Sequence, residues 1–230
     1  ELIRESGGLA PFSWGRRVGV EGDFAKHQEH LASLGAKTSP IRRAQDLETV
    51  QGLVIPGGES TVLLKLADEE LRQMIKTKLA SGLPALATCA GVILLAKNVK
   101  NPEQESLDTI DIDVTRNAYG RQIDSFIEPA LSFTNDAIAS LKKHGANSVN
   151  GEKGKNEFLK NISQNEQAAT FEGVFIRAPK ITRVGQNVSV LIKHGEDPVL
   201  VQQGNILAAT FHPELSPNNR VIHSLFLSFL

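Results

Sequence analysis

The sequence is poor in the residues that report most directly on chemistry. It holds one cysteine, one methionine, one tryptophan and one tyrosine among 230 residues. One cysteine cannot form a disulfide within the chain, which favours a reducing compartment. The sequence also lacks a charge imbalance, because it has 25 basic and 26 acidic residues. A nearly neutral chain gives no broad electrostatic reason to bind nucleic acid or an anionic membrane.

Long apolar runs are absent as well. No stretch approaches the ~20 apolar residues that are needed to cross a bilayer. The first residues have neither the basic start nor the apolar centre of a secretory signal. We therefore predict a cytoplasmic protein that binds neither a membrane nor nucleic acid. A length of 230 residues, 40% of them hydrophobic, suits one globular domain.

The apolar pattern alternates strands with helices in the first half of the chain and clusters strands in the second. This order predicts a single α/β domain with a mostly parallel central sheet. Helices are predicted over 23–34, 69–79 and 219–230, and directly after the cysteine. Strands are predicted over 17–20, 36–41, 52–55, 83–88, 108–115, 173–176, 188–192, 199–201 and 206–211.

Two segments do not fit this pattern. Residues 1–15 show no period and contain several glycines, so we predict a loosely ordered leader. Residues 134–169 are rich in Asn, Lys, Ser, Gln and Gly, which predicts a polar surface insertion. The domain proper is expected over 16–230.

Cys89 is the first candidate for chemistry. An apolar strand ends at it, and Gly91 and a second apolar run follow. This order predicts a strand, a sharp turn and a helix whose N-terminus faces the thiol, an arrangement that favours a thiolate. It resembles a nucleophile elbow with sulfur in place of oxygen. A lone cysteine is otherwise more often an inert small hydrophobe.

His212 and Glu214 follow another apolar strand, with Pro213 between them. Ligands bind at the carboxyl ends of strands in open α/β sheets, so these residues and Cys89 can share one edge. A thiol nucleophile needs a base, and the base needs an acceptor that fixes its tautomer. The alternative is a polar turn at a strand end. The other five histidines are competing bases: His27 and His30 are interpreted as part of a polar helix, and His144, His194 and His223 are predicted in the irregular stretch, near a turn and in the last helix.

A glycine-rich loop and two arginines complete the candidates. Gly57 and Gly58 would let backbone N–H groups approach an oxyanion, and Glu59 could accept an ammonium group. Arg116 and Arg177 each follow a predicted strand and could hold a carboxylate or form a surface ion pair.

Together these segments resemble triad-type class I glutamine amidotransferases. More narrowly, they are similar to the glutaminase subunits of pyridoxal 5′-phosphate synthases. The resemblance runs from about Gly19 to the C-terminus, apart from the polar excursion. It is carried by the segments 52–61 (GLVIPGGEST), 88–96 (TCAGVILLA), 114–122 (VTRNAYGRQ), 173–179 (GVFIRAP) and 210–215 (TFHPEL).

The resemblance implies a three-layer αβα fold of the flavodoxin-like type and hydrolysis of L-glutamine through a γ-glutamyl thioester. It assigns Cys89 as nucleophile, His212 as acid and base, and Glu214 as its partner. It implies no metal and no cofactor, and one partner, a (β/α)8-barrel synthase subunit that consumes the ammonia. Glutamine would be bound by Gly58, Glu59, Ser60, Arg116, Ile176 and Arg177, with Gly58 and Ala90 forming the oxyanion hole.

The sequence departs from the family pattern in the first strand. The segment 19–23 is about four residues short and lacks the Leu-Gln-Gly loop of the family. Ala87 also replaces the usual glycine before the Thr-Cys-Ala-Gly motif. The altered first strand leaves one alternative open, a catalytically impaired partner that regulates the synthase. A second alternative is another cysteine hydrolase of related fold.

Overall fold

The computed structural model of the protein describes residues 12–15, 24–61, 64, 67–116, 125–139, 170–216 and 220–230. Four helices of these residues are α1 (Phe24–Ser33), α2 (Glu69–Ala80), α3 (Ala90–Leu95) and α4 (Val221–Leu227). The strands are β1 (Phe12–Gly15), β2 (Thr38–Ile41), β3 (Leu53–Ile55), β4 (Ala85–Thr88), β5 (Ala96–Lys100), β6 (Ile110–Thr115), β7 (Ser125–Ser132), β8 (Thr170–Ile176), β9 (Lys180–Val184), β10 (Ser189–His194), β11 (Asp197–Gln203) and β12 (Ile206–Ala209).

A seven-stranded sheet in the order β10-β11-β12-β4-β3-β1-β2 forms the centre of the described structure. The strands from β12 to β2 pair in parallel, and β11 runs antiparallel to both of its neighbours. The prediction of an α/β fold with a mostly parallel sheet is confirmed. A parallel sheet needs crossover connections, which the helices supply.

The central strands are buried on both faces, as their unbroken apolar runs require. In β4, Leu86 packs into one hydrophobic core, whereas Ala85 and Ala87 pack into the other. α1 and α4 contribute to the first core, and α2 and α3 to the second. The sheet therefore lies between two layers of helices. Ala87, which departs from the family pattern, is fully buried in this pairing.

The bounds of α2 follow from local chemistry. Asp68 caps its N-terminus by accepting a 2.8 Å hydrogen bond from the Leu71 N–H. Glu69 and Glu70 occupy the first turn and Lys78 the last, which complements the helix dipole. Gly82 (φ 95°) then takes the left-handed conformation that ends the helix.

The N-terminal part of the chain differs from the prediction at one point. Residues 12–15, expected in the leader, form β1 and pair with both β2 and β3. Phe12 and Trp14 do alternate with Ser13 and Gly15, but four residues next to Pro11 and several glycines are too few for a reliable strand period. The strand expected at 17–20 lies outside the described residues.

Two smaller sheets flank the central one, in the orders β5-β6-β9 and β7-β8. β8 ends at Ile176 and brings the following residues to the edge where the predicted site lies. Of the expected insertion, residues 134–139 are described, and 135–139 form a helical turn. Residues 140–169 lie outside the described part. None of the described helices is long and apolar enough to span a bilayer.

Candidate active site

Cys89 occupies a strained turn between β4 and α3. Its backbone has φ 47° and ψ −105°, in the region that residues other than glycine rarely adopt. Such outliers cluster at functional sites. Its N–H donates to the Ala209 carbonyl at 2.9 Å, which ties the turn to β12. Gly91 lies against the Ile55 carbonyl, where a side chain would not fit. The predicted strand, turn and helix around the thiol are present.

The register between β4 and β12 brings His212 to the thiol. Thr88 pairs with Ala209, so the chains that leave the two strands emerge side by side. The His212 N–H then donates to the Val174 carbonyl on β8 at 2.8 Å. The pairing of β12 with β4 and this hydrogen bond to β8 together fix the position of the His212 backbone. It is 7% exposed, unlike a solvated polar turn.

Cys89, His212 and Glu214 form a connected set. His212 Nδ1 lies 2.7 Å from Glu214 Oε1, and Glu214 is 1% exposed. Burial alone would lower the pKa of His212, but its hydrogen bonds with Cys89 and Glu214 outweigh burial and raise the pKa to about 10. The charged form of the imidazole is thus favoured beside the thiol. This is the electrostatic environment in which a cysteine becomes a thiolate.

A cavity of about 190 Å³ opens in front of the thiol. It is lined by every residue that the sequence assigned to catalysis or binding: Gly58, Glu59, Ser60, Cys89, Ala90, Arg116, Ile176, Arg177, His212 and Glu214. These residues come from five separate segments of the chain. Pro56, Gly57 and Ile93 complete the lining.

The rim of the cavity carries opposite charges. Arg116 Nη2 lies 3.4 Å from Glu59 Oε1. The arginine side chain is 13% exposed and the glutamate side chain 50%. Arg177 follows β8 with φ 44°, a second backbone outlier at the site. The rim of the cavity thus carries one cationic and one anionic side chain.

Comparison with known protein families agrees with this site. The profile of the SNO glutamine amidotransferase family matches residues 17–141 and 149–230. The chain belongs to this family. It is therefore a glutamine amidotransferase subunit, as the sequence predicted. Residues 1–16, which include the expected leader of 1–15, and residues 142–148, within the expected insertion, fall outside the match.

Two relatives and one solved structure illustrate the similarity. A Thermotoga maritima protein named pyridoxal 5′-phosphate synthase subunit PdxT is 39% identical over 214 residues, which cover 93% of this chain and 97% of the relative. A Koribacter versatilis protein of the same name is 42% identical over 217 residues and 93% of both chains. A crystal structure of a glutamine amidotransferase superposes with a TM-score of 0.74 at 34% identity, covering 96% of this chain and 98% of that one.

The close packing at Gly57 was not predicted from the sequence. A Cβ atom there would lie 2.6 Å from His212 Cε1 and 3.4 Å from Cys89 Cβ. Gly57 must therefore be glycine because His212 leaves no room for a side chain. Gly58 must be glycine for a different reason, since its φ of 140° is rarely adopted by other residues. The double glycine was the available signal, but its contacts depend on the tertiary fold.

The histidines of α1 were interpreted wrongly. His27 and His30 were placed in a polar helix, but their exposed fractions are 0% and 4%. They meet His223 of α4, which is also fully buried, behind Glu214. The helix itself is confirmed. Among the described residues, no group of three or more His, Cys, Asp or Glu side chains is arranged to hold a metal ion.

Proposed function

We propose that the chain is the glutaminase subunit of a pyridoxal 5′-phosphate synthase, releasing ammonia from L-glutamine for a separate synthase subunit. The observation that carries the proposal is the 2.7 Å contact between His212 and Glu214 beside Cys89. Membership in the amidotransferase family and the name shared by the relatives support the substrate and the partner.

Cys89 is the nucleophile of the proposed reaction. Its thiolate attacks the side-chain amide carbon of glutamine and forms a C–S bond, and the carbonyl oxygen becomes an oxyanion. The N–H of Ala90, one of the unpaired groups at the start of α3, and that of Gly58 would stabilise this charge. Collapse of the intermediate breaks the C–N bond.

His212 supplies and then recovers the proton. As an imidazolium it donates to the departing nitrogen, so that ammonia leaves and a γ-glutamyl thioester remains. The neutral imidazole then deprotonates water, which attacks the thioester and releases glutamate and the thiolate. Glu214 fixes the His212 tautomer and favours its charged form in both steps.

Recognition of glutamine would use the charged rim. A free amino acid carries a carboxylate and an ammonium group on one carbon, and Arg116 and Glu59 present the complementary pair 3.4 Å apart. Ser60, Ile176 and Arg177 are proposed to complete the subsite. We expect the two rim side chains to exchange their mutual contact for contacts with the substrate.

Glutamate release from L-glutamine tests the proposal. We expect turnover by the full chain, a higher rate with the synthase subunit, and no turnover by Cys89→Ala or the nearly isosteric Cys89→Ser. Binding to the synthase without turnover above that of Cys89→Ala would instead support a catalytically impaired regulatory partner. Turnover retained by both variants would exclude the thiol mechanism.

A further inference from the structure

The buried histidines behind Glu214 have no role in the reaction described so far. His27 Nε2 lies 3.2 Å from Glu214 Oε2, on the side of the carboxylate opposite His212. His27 Nδ1 lies 2.9 Å from His223 Nε2. The side chains of His27 and Glu214 are both completely buried. The contacts therefore run in series from Cys89 through His212, Glu214 and His27 to His223.

The partners of each ring nitrogen define its tautomer. His27 Nε2 faces two oxygens, Glu214 Oε2 at 3.2 Å and Thr88 Oγ1 at 3.4 Å. A nitrogen lone pair would be repelled by a carboxylate, so Nε2 carries the hydrogen. Nδ1 then has the lone pair and accepts from the Nε2–H of His223. His223 is then the hydrogen-bond donor to His27. The 3.2 Å contact between His27 and Glu214 is electrostatic, with the positive Nε2–H edge of the ring lying against the carboxylate.

The surroundings keep both imidazoles uncharged. Burial, with the nearby His223, His212 and His30, holds the pKa of His27 well below its usual range. Burial, His30 and Arg220 lower the pKa of His223 to about 3. Uncharged donors can orient a carboxylate without forming an ion pair with it. The negative charge of Glu214 thus remains available to His212.

We propose that His27 and His223 are positioning residues of the amidase: linked in series, they hold the Glu214 carboxylate against His212. The inference rests on the proposed function, because it assigns a role within that reaction. It also connects the site to the fold. His27 lies on α1 and His223 on α4, so the proposal links two helices on one face of the sheet to the catalytic thiol.

Replacements at His27 separate positioning from packing. His27→Leu keeps an apolar volume but removes the donor, whereas the His27→Gln amide can donate to Glu214 and accept from His223. Leu31→Val trims the core one turn further along α1 and serves as the packing control, since Leu31 is fully buried in the same layer.

The first readout is the pH dependence of Cys89 alkylation by iodoacetamide, which needs neither glutamine nor the synthase. In His27→Leu, we expect the pH profile of alkylation to move by about one pH unit, the effect of about one pKa unit in the thiolate–imidazolium pair, with the rate on the acid side of the midpoint falling about tenfold. His27→Gln should recover most of this loss, and Leu31→Val should match the unmodified chain. For glutamine, His27→Leu should lower kcat and kcat/KM together.

Several outcomes would overturn the inference. They are a folded His27→Leu that alkylates like the unmodified chain, a loss that His27→Gln does not recover, or an equal loss in Leu31→Val. A His223→Leu variant with unchanged alkylation would remove His223 from the proposal. A chain that shows the expected alkylation series but never releases glutamate, alone or with the synthase, would refute the proposed function and support the positioning role.

Discussion

Replacing His223 with glutamine should make the protein more resistant to acid. The folded chain holds the pKa of His223 at about 3, whereas the unfolded chain has the ordinary value of 6.5. As the pH falls below 6.5, the unfolded state takes up a proton that the folded state refuses. The free energy of unfolding therefore decreases between pH 6.5 and about pH 3. Glutamine does not titrate and removes this contribution.

The size of the effect follows from the two pKa values. Between pH 7 and pH 5, protonation of His223 in the unfolded chain alone costs about 2 kcal/mol of stability. Glutamine keeps an N–H donor for His27 Nδ1, so the change at pH 7 should be small. His27 is present in both proteins, and the difference between them therefore isolates His223.

Urea unfolding at pH 7 and pH 5 measures this difference, provided that the slope with denaturant stays equal in the two proteins. We expect the unmodified chain to lose about 2 kcal/mol more than His223→Gln on acidification. Equal losses would show that His223 takes up its proton in the folded state as readily as in the unfolded one. That result would refute the buried, uncharged state assigned to this imidazole.

Two further predictions concern glycines that pack against the site. In Gly57→Ala, the new Cβ lies 2.6 Å from His212 Cε1. Because Glu214 fixes the ring, its displacement should lower kcat roughly 100-fold, while unfolding by urea changes little; an active variant would contradict the packing. In Gly91→Ala, the new Cβ overlaps the Ile55 carbonyl and forces α3 away from β3. Thermal and urea unfolding should reveal a loss of about 3 kcal/mol, and a smaller loss than 1 kcal/mol would argue against this close contact.

The site was predictable because its parts follow strand ends. Cys89 and His212 each come after an apolar run, and parallel strands present their carboxyl ends at one edge. What the sequence does not contain is the pairing of β4 with β12 or its register, which depends on how the whole sheet assembles. The strand ends indicated only that Cys89 and His212 can share an edge, and the resemblance to a family assigned them to one site.

The burial of His27 was harder to foresee, although one signal existed. In the sequence, His27 shares a helical face with Leu31 and Leu34, and Leu31 packs into the core on one face of the sheet. Histidine counts as polar in any hydropathy pattern, so α1 was taken as a largely polar helix. Burial of a histidine depends on whether tertiary neighbours supply its hydrogen bonds. Here Glu214 and His223 supply contacts from distant segments.

The acid sensitivity and the proposed positioning role have one physical origin. Apolar side chains at positions 27 and 223 do not titrate, so they would remove the loss of stability at acid pH. Well-packed apolar replacements of buried polar groups are often neutral or stabilising. Such replacements would leave Glu214 without its buried neighbours. If His223→Gln gains acid resistance and keeps the alkylation profile, the donor at His27 Nδ1 is what the site needs, and titration of His223 is only the accompanying cost. If the alkylation profile changes, the site requires an imidazole at position 223, and an N–H donor to His27 Nδ1 is not sufficient.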